Sequence, residues 1–303
     1  MIDFLLYFFI FPGFLFLTVS GMFVSWIDRK ISARIQWRIG PPLLQPLYDV
    51  IKLMYKESVI PDKGNTWVFV LSPLMAFFSI ILISNLLIIT WFNPYTGFVG
   101  DLIVLIYLMA MPSIASIMGA SASNNPFASV GASREIKSIL GYELPFILSI
   151  IVPIIKSKSV ALGHIILSQQ QAVSYIFNFS GFLAFFVAIL CIQAKMGLIP
   201  FDTAEAETEI VSGNYIEYSG PFLALWKLSK MMMLIIGPLF IVALFWSGGS
   251  WFTIPIKYSI IILILFLIKN TNPRLRIDQS IRFFWEFLFL IASLAIVLAV
   301  LGY

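Results

Sequence analysis

The sequence predicts an all-α, polytopic integral membrane protein with about eight transmembrane helices and one amphipathic helix on the membrane surface. Three observations predict it. Of 303 residues, 60% are hydrophobic and 11% charged, against roughly 25% charged in a soluble domain. Apolar runs recur at about 20 residues, the length that crosses a bilayer as a helix. Basic residues collect in alternate connections between those runs, the pattern that sets membrane orientation.

The runs fall near 4–26, 67–92, 101–121, 139–156, 173–195, 221–246, 252–269 and 283–302. The first is too long for a signal-peptide core and lacks a basic leader, so it reads as a retained span. The fourth is the weakest, because Glu143 and Pro145 interrupt its start and Lys156 closes it. The Gln-rich stretch 160–172 reads as a connecting loop. No internal repeat or low-complexity tract is evident, and residues 1–303 read as one membrane domain. After Gly40-Pro41-Pro42, the segment near 44–57 places Leu44, Leu47, Val50, Ile51, Met54 and Tyr55 at helical spacing. This predicts an amphipathic helix along the membrane surface, with Pro46 in its first turn.

Arg29, Lys30, Arg34, Arg38, Lys52, Lys56 and Lys63 follow the first span. Arg134 and Lys137 follow the third, Lys195 the fifth, and Lys269, Arg274, Arg276 and Arg282 the seventh. The other connections hold only Lys156, Lys158 and Lys257. The expected location is the cell membrane, with the odd-numbered loops cytoplasmic and both termini outside. The chain has one Cys (Cys191) and one His (His164). An internal disulfide, an intrinsic haem pair, an iron–sulfur cluster and most zinc sites are therefore excluded. No metal and no redox cofactor is expected in this chain, so any redox centre would sit on partner chains. The net charge of +4 is small, and no nucleic-acid partner is expected.

One loop stands out. Between Lys195 and Gly220, Asp202, Glu205, Glu207, Glu209 and Glu217 make up five of the fifteen carboxylates. Clustered carboxylates raise each other's pKa, so such a loop can hold and pass protons near neutrality. The acids could instead form a solvated loop. Ile199-Pro200-Phe201 and Ile210-Val211 interleave them with apolar residues, which favours a packed loop. Gly197, Gly213 and Gly220 permit sharp turns. Charges also fall inside the spans: Glu143 in the fourth, Lys227 and Lys230 in the sixth, Glu286 in the eighth. Ionisable groups in lipid face partners or water, or snorkel to the interface. Lys227 and Lys230, at i and i+3, share a helix face. Arg134 and Glu143 could form the mouth of a proton path. Arg29, Lys30, Arg34 and Arg38 suit either lipid headgroups or a soluble protein's carboxylates. His164, in an outer loop, reads as structural, and Cys191 as a small hydrophobe.

The segment Asp28-Arg29-Lys30, Ala33-Arg34, Arg38-Ile39-Gly40-Pro41, followed by Leu44-Gln45-Pro46-Leu47-Tyr48-Asp49, resembles one membrane subunit of respiratory complex I. That subunit lines the quinone cavity and joins the soluble arm to the membrane arm. The resemblance continues through Ala132-Ser133-Arg134-Glu135, Gly141-Tyr142-Glu143, Pro200-Phe201-Asp202, Glu205-Ala206-Glu207 and Glu217-Tyr218-Ser219-Gly220. Pro41-Pro42 runs almost directly into Leu44-Gln45-Pro46, which is similar to the branch in energy-converting, membrane-bound nickel–iron hydrogenases and related ferredoxin-linked complexes. The family's opening Glu is Asp28 here. Lys230 stands roughly where complex I members tend to carry a glutamate. The resemblance implies a membrane anchor subunit of an ion-translocating oxidoreductase, with no catalytic residue of its own. Asp202, Glu205, Glu207, Glu209, Glu217, Glu143, Lys227 and Lys230 would serve the proton path and coupling. Arg29, Lys30, Arg34, Arg38 and Arg134 would dock partners. It implies iron–sulfur clusters, and in a hydrogenase a nickel–iron centre, on partner subunits. Those partners would be a hydrogenase-like large subunit, a small iron–sulfur subunit, antiporter-like membrane subunits and, through the complex, ferredoxin. The alternative is the quinone-binding subunit of a complex I-type dehydrogenase.

Overall fold

The computed structural model describes residues 2–61 and 64–302, and excludes the side chains of residues 2–5, 96, 207, 208 and 251. Lys63 and the Glu207 side chain therefore lie outside the described residues. Among the described residues the structure is helical, with no strand. The helices are α1 (Ile2–Phe9), α2 (Phe14–Ile35), α3 (Gln45–Met54), α4 (Thr66–Phe92), α5 (Asp101–Ala122), α6 (Pro126–Ser157) and α7 (Leu162–Gln171). They continue with α8 (Phe179–Lys195), α9 (Glu207–Ile210), α10 (Gly220–Phe245), α11 (Ile254–Thr271), α12 (Ile277–Arg282) and α13 (Phe289–Val300). Phe283–Leu288, a π-helical turn, joins α12 to α13.

Seven helical stretches are long and apolar enough to cross a membrane, and α8 is a shorter apolar helix of 17 residues. The apolar run 4–26 is broken by Phe11-Pro12-Gly13, where proline removes a backbone donor. It then continues as α2 past Asp28, Arg29 and Lys30. The expected span 139–156 is the end of a much longer helix. Asn125 accepts a hydrogen bond from Phe127 N at 2.8 Å and Pro126 occupies the first turn, so α6 starts thirteen residues earlier. Arg134, Glu135 and Lys137 are thus helical, not loop residues. The stretch 160–172 also departs from expectation, since Leu162–Gln171 is helical and His164 lies on that helix. Of the three glutamines there, Gln169 belongs to the core, while Gln170 and Gln171 are exposed. Fully buried, Gln169 donates to Ala243 O (3.1 Å) and Leu244 O (3.0 Å), satisfying carbonyls at the end of α10.

Helix α10 is the centre of the bundle. Beyond Lys227, Ser229 and Lys230 near its start it is apolar around its circumference, and it packs on α2, α4, α8, α11 and α3, as a hydrophobic helix must. Its closest neighbour is α2: a Cβ at Gly21 would lie 2.7 Å from Met231 O. The surface helix α3 splits its apolar residues. Val50 is buried against the core, while Leu47, Ile51 and Met54 are exposed.

Candidate functional site

The acidic loop, residues 196–219, is packed. Phe201, Thr203, Ala204, Ala206, Ile210, Asn214 and Tyr218 are all buried. Phe201 anchors it, with its ring 4.8 Å from that of Phe284 and 5.9 Å from that of Phe283. Leu275 N donates to Pro200 O at 3.0 Å, tying the loop to the connection before α12. At Gly213 (φ +49°) an added Cβ would lie 1.9 Å from Ala204 O, so only glycine closes this turn.

The carboxylates do not share one site. Each described one takes a separate partner on a different helix or connection. Asp202 pairs with Arg274 at 2.9 Å, Glu209 with Arg134 at 2.6 Å, Glu205 with Lys230, and Glu143 with Lys195 at 2.9 Å. Glu217 accepts from Asn125. This corrects the expectation that the acids mainly raise one another. Within the loop, burial holds the Asp202 carboxyl above its ordinary range, opposed by Arg274; Glu205 contributes less.

Lys230 lies on the most buried helix, but its side chain is 39% exposed, and its ammonium has a partner at this half-buried rim. Glu205 is that partner, and the Tyr215 ring lies 4.4 Å from the same ammonium. Lys227 points elsewhere. Although it shares a face with Lys230, it is exposed toward α3, and among the described residues it forms no ion pair. Arg29 and Arg134 are engaged within the chain. Arg29 reaches Asp49 at 2.8 Å, joining α2 to α3, and holds Asp49, itself partly desolvated, below its ordinary range. Arg134 also donates to Thr203 O at 3.3 Å. Arg34 and Arg38 are exposed, with Trp37 and Ile39 between and beside them almost wholly so. Lys30 is half-buried, and Glu286 is exposed on the π-helical turn.

Two residues missed by sequence reasoning stand at the centre of the site. Glu135 and Lys195 line a cavity of about 50 Å³ together with Ser113, Ser116, Glu205 and Lys230. That is room for a few ordered waters between polar groups. Glu135 meets Ser113, whose hydroxyl lies 3.4 Å from that of Tyr142, while the Lys195 ammonium, paired with Glu143, lies over the Tyr142 ring face, 5.6 Å from its centre. The Asn125-Pro126 helix start was the signal that could have placed Glu135 inside. A second cavity of about 330 Å³, walled by Tyr215, Tyr218 and Trp226, shares Glu205 and Lys230 with the first and reaches Lys227. Among the described residues, no three His, Cys, Asp or Glu side chains converge to hold a metal ion.

The sequence profile of the NADH dehydrogenase family matches residues 8–300. The chain belongs to this family. Within it, a membrane-complex relative from Carboxydothermus hydrogenoformans, one of the subunits of its NADH-quinone oxidoreductase, is 32% identical over 292 residues, covering 90% of this chain and 82% of that protein. The same subunit from Dehalococcoides mccartyi is 32% identical over 295 residues, covering 90% and 80%. Among solved structures, a chain of the membrane-bound sulfane sulfur reductase, an archaeal respiratory membrane complex, superposes with a TM-score of 0.85 at 28% identity, covering 94% of this chain and 96% of that one. This NADH dehydrogenase family chain is a multi-pass membrane subunit of the complex I-like oxidoreductases. The motifs that carry the family resemblance are those that build the site: Pro200-Phe201-Asp202 forms the anchored turn, and Arg134-Glu135 supplies one ion pair and one cavity wall.

Proposed function

We propose that the chain is the membrane anchor of an ion-translocating, ferredoxin-linked oxidoreductase of the energy-converting hydrogenase type. It couples redox turnover in a soluble arm to movement of H⁺ or Na⁺. The observation that carries this reading is the polar string from Glu205 and Lys230 through the cavity at Glu135 to Lys195 and Glu143. It starts in a surface loop and ends inside the bundle, which a coupling element requires. Ion pairs at both ends can exchange a proton or a partner when the loop shifts, biasing the element from either side. The similarity to a chain of the sulfane sulfur reductase, a respiratory membrane complex, supports a place in a respiratory membrane complex.

In this reading the acidic loop faces the cytoplasm. Exposed Arg34 and Arg38, with Trp37 and Ile39, dock a hydrogenase-like large subunit and a small iron–sulfur subunit, which carry the redox centres. Ions pass on to antiporter-like membrane subunits. The test is Glu205→Gln in the assembled complex. Electron transfer is expected to persist while ion translocation collapses. Fully coupled pumping in that variant would overturn the role of Glu205.

A second reading is favoured by the aromatic cavity of about 330 Å³ and by the relatives' name, NADH-quinone oxidoreductase. There the Tyr215, Tyr218 and Trp226 walls would receive a quinone ring. Stoichiometric labelling of this cavity by a photoreactive quinone would support it over the first.

A further inference from the structure

The segment between α11 and α13 touches the acidic loop at one end and α6 at the other. Arg274 pairs with Asp202 at 2.9 Å, and Leu275 N donates to Pro200 O at 3.0 Å. Farther along, Trp285 Nε1 donates to Leu140 O at 3.3 Å. Between these two grips the helix opens into the π-helical turn Phe283–Leu288. Such turns are rare insertions within α-helices and are frequent at functional sites. This one directs Phe284 and Leu288 into the core and leaves Trp285, Glu286 and Phe287 exposed.

Phe284 is the residue that the loop and α6 share. It is 1% exposed. Its ring lies 4.8 Å from that of Phe201 in the loop and 6.2 Å from that of Tyr142 in α6, the second pair edge-on at 69°. Both separations are aromatic contacts. Phe201 and Tyr142 are buried as well, and among the described residues no ring contact joins them directly. Tyr142 carries the line onward to the polar cavity. Its hydroxyl lies 3.4 Å from that of Ser113, a cavity wall, and the Lys195 ammonium lies over its ring. A close-packed interior passes displacement from one ring to the next because it has few voids to absorb it.

We propose that Phe284 is a positioning residue, holding the Tyr142 ring at the polar cavity in register with the acidic loop, so that a shift of Phe201 reaches Tyr142. The π-turn, lying where these contacts converge, sets Phe284 apart from an ordinary core ring. As a device for coupling, this link rests on the function proposed above; as a packing link, it does not.

The test uses the assembled complex in nanodiscs, with a ring-fluorinated tyrosine at position 142 and its fluorine resonance recorded by NMR. Phe201→Leu is expected to move that resonance by more than its linewidth. In a Phe284→Leu background the same change is expected to add no further movement. Phe287→Leu, on the exposed side of the π-turn, is expected to leave the resonance in place. In proteoliposomes, F284L is expected to lower the number of ions moved per electron by about twofold or more. A merely structural role would lower ion movement and electron transfer together and leave that ratio unchanged. If F284L does not assemble, the responses to F201L and F287L decide. A resonance indifferent to F201L, or equally responsive with and without Phe284, would overturn the link, whatever the complex pumps. An unchanged ion ratio in F284L would overturn its role in coupling. A resonance that responds through Phe284 in a parent complex that moves no ions would uphold the link and overturn the coupling function.

Discussion

Lys195 Nζ donates to Glu143 Oε2 at 2.9 Å, joining the last turn of α8 to the middle of α6. The lysine side chain is 1% exposed and the glutamate 22%, and the ammonium lies 4.7 Å from the Phe146 ring. The pair closes the inner end of the polar string. Removing one partner of a buried pair strands a charge, which costs about 3–5 kcal/mol. Glu143→Ala is therefore expected to lower the thermal stability of the complex strongly. The double variant E143A/K195M is expected to recover much of the loss. A double-mutant cycle read by thermal unfolding checks this, and additive losses would exclude the coupling.

Asp202 gives the loop a pH dependence of definite sign. Burial raises its folded-state pKa above the ordinary value of 3.8. Between the two values the folded state holds more protons than the unfolded chain, so loop stability falls as pH rises through that window. Asp202→Asn is expected to flatten this part of the profile. Arg274→Gln is expected to move it upward, because Arg274 opposes the shift. Hydrogen exchange of residues 198–206 against pH measures both.

Gly213→Ala is expected to disrupt the loop without touching a charge. The backbone has φ +49°, and the new methyl would lie 1.9 Å from Ala204 O. Strain of this kind costs about 1–3 kcal/mol before the clash is counted. Limited proteolysis is expected to cut the variant between Ala204 and Asn214 faster than the parent.

Arg34→Glu with Arg38→Glu is expected to separate docking from folding. Both residues are exposed, so the change in stability should stay within about 0.5 kcal/mol. If they dock partner subunits as proposed, retention of those subunits during purification is expected to fall, most at low salt and less as salt screens the charges. Unchanged retention would remove these residues from the interface.

The apolar runs 67–92, 101–121 and 221–246 match α4, α5 and α10 within a residue, because a span's length and composition are imposed by the bilayer and appear locally in the chain. The start of α6 was less visible. Arg134, Glu135 and Lys137 resemble a loop by composition, yet they continue the helix that Asn125 and Pro126 start, and the acidic loop packs along it through Glu209 to Arg134 and Thr203 to Ser138 (3.0 Å).

The membrane class and the apolar cores of α4, α5 and α10 are legible in the chain, since hydrophobic length and local charge are properties of contiguous residues. Which cation each carboxylate meets depends on the packing of the helices: Lys195 for Glu143, Lys230 for Glu205, Arg274 for Asp202. Those pairs span 52, 25 and 72 positions (274 − 202 = 72) along the chain. Electrostatic partners at such separations are chosen by how helices pack, and no local pattern encodes that choice. The packed loop therefore became a set of separate ion pairs around a small polar cavity, where composition had suggested carboxylates crowding one another.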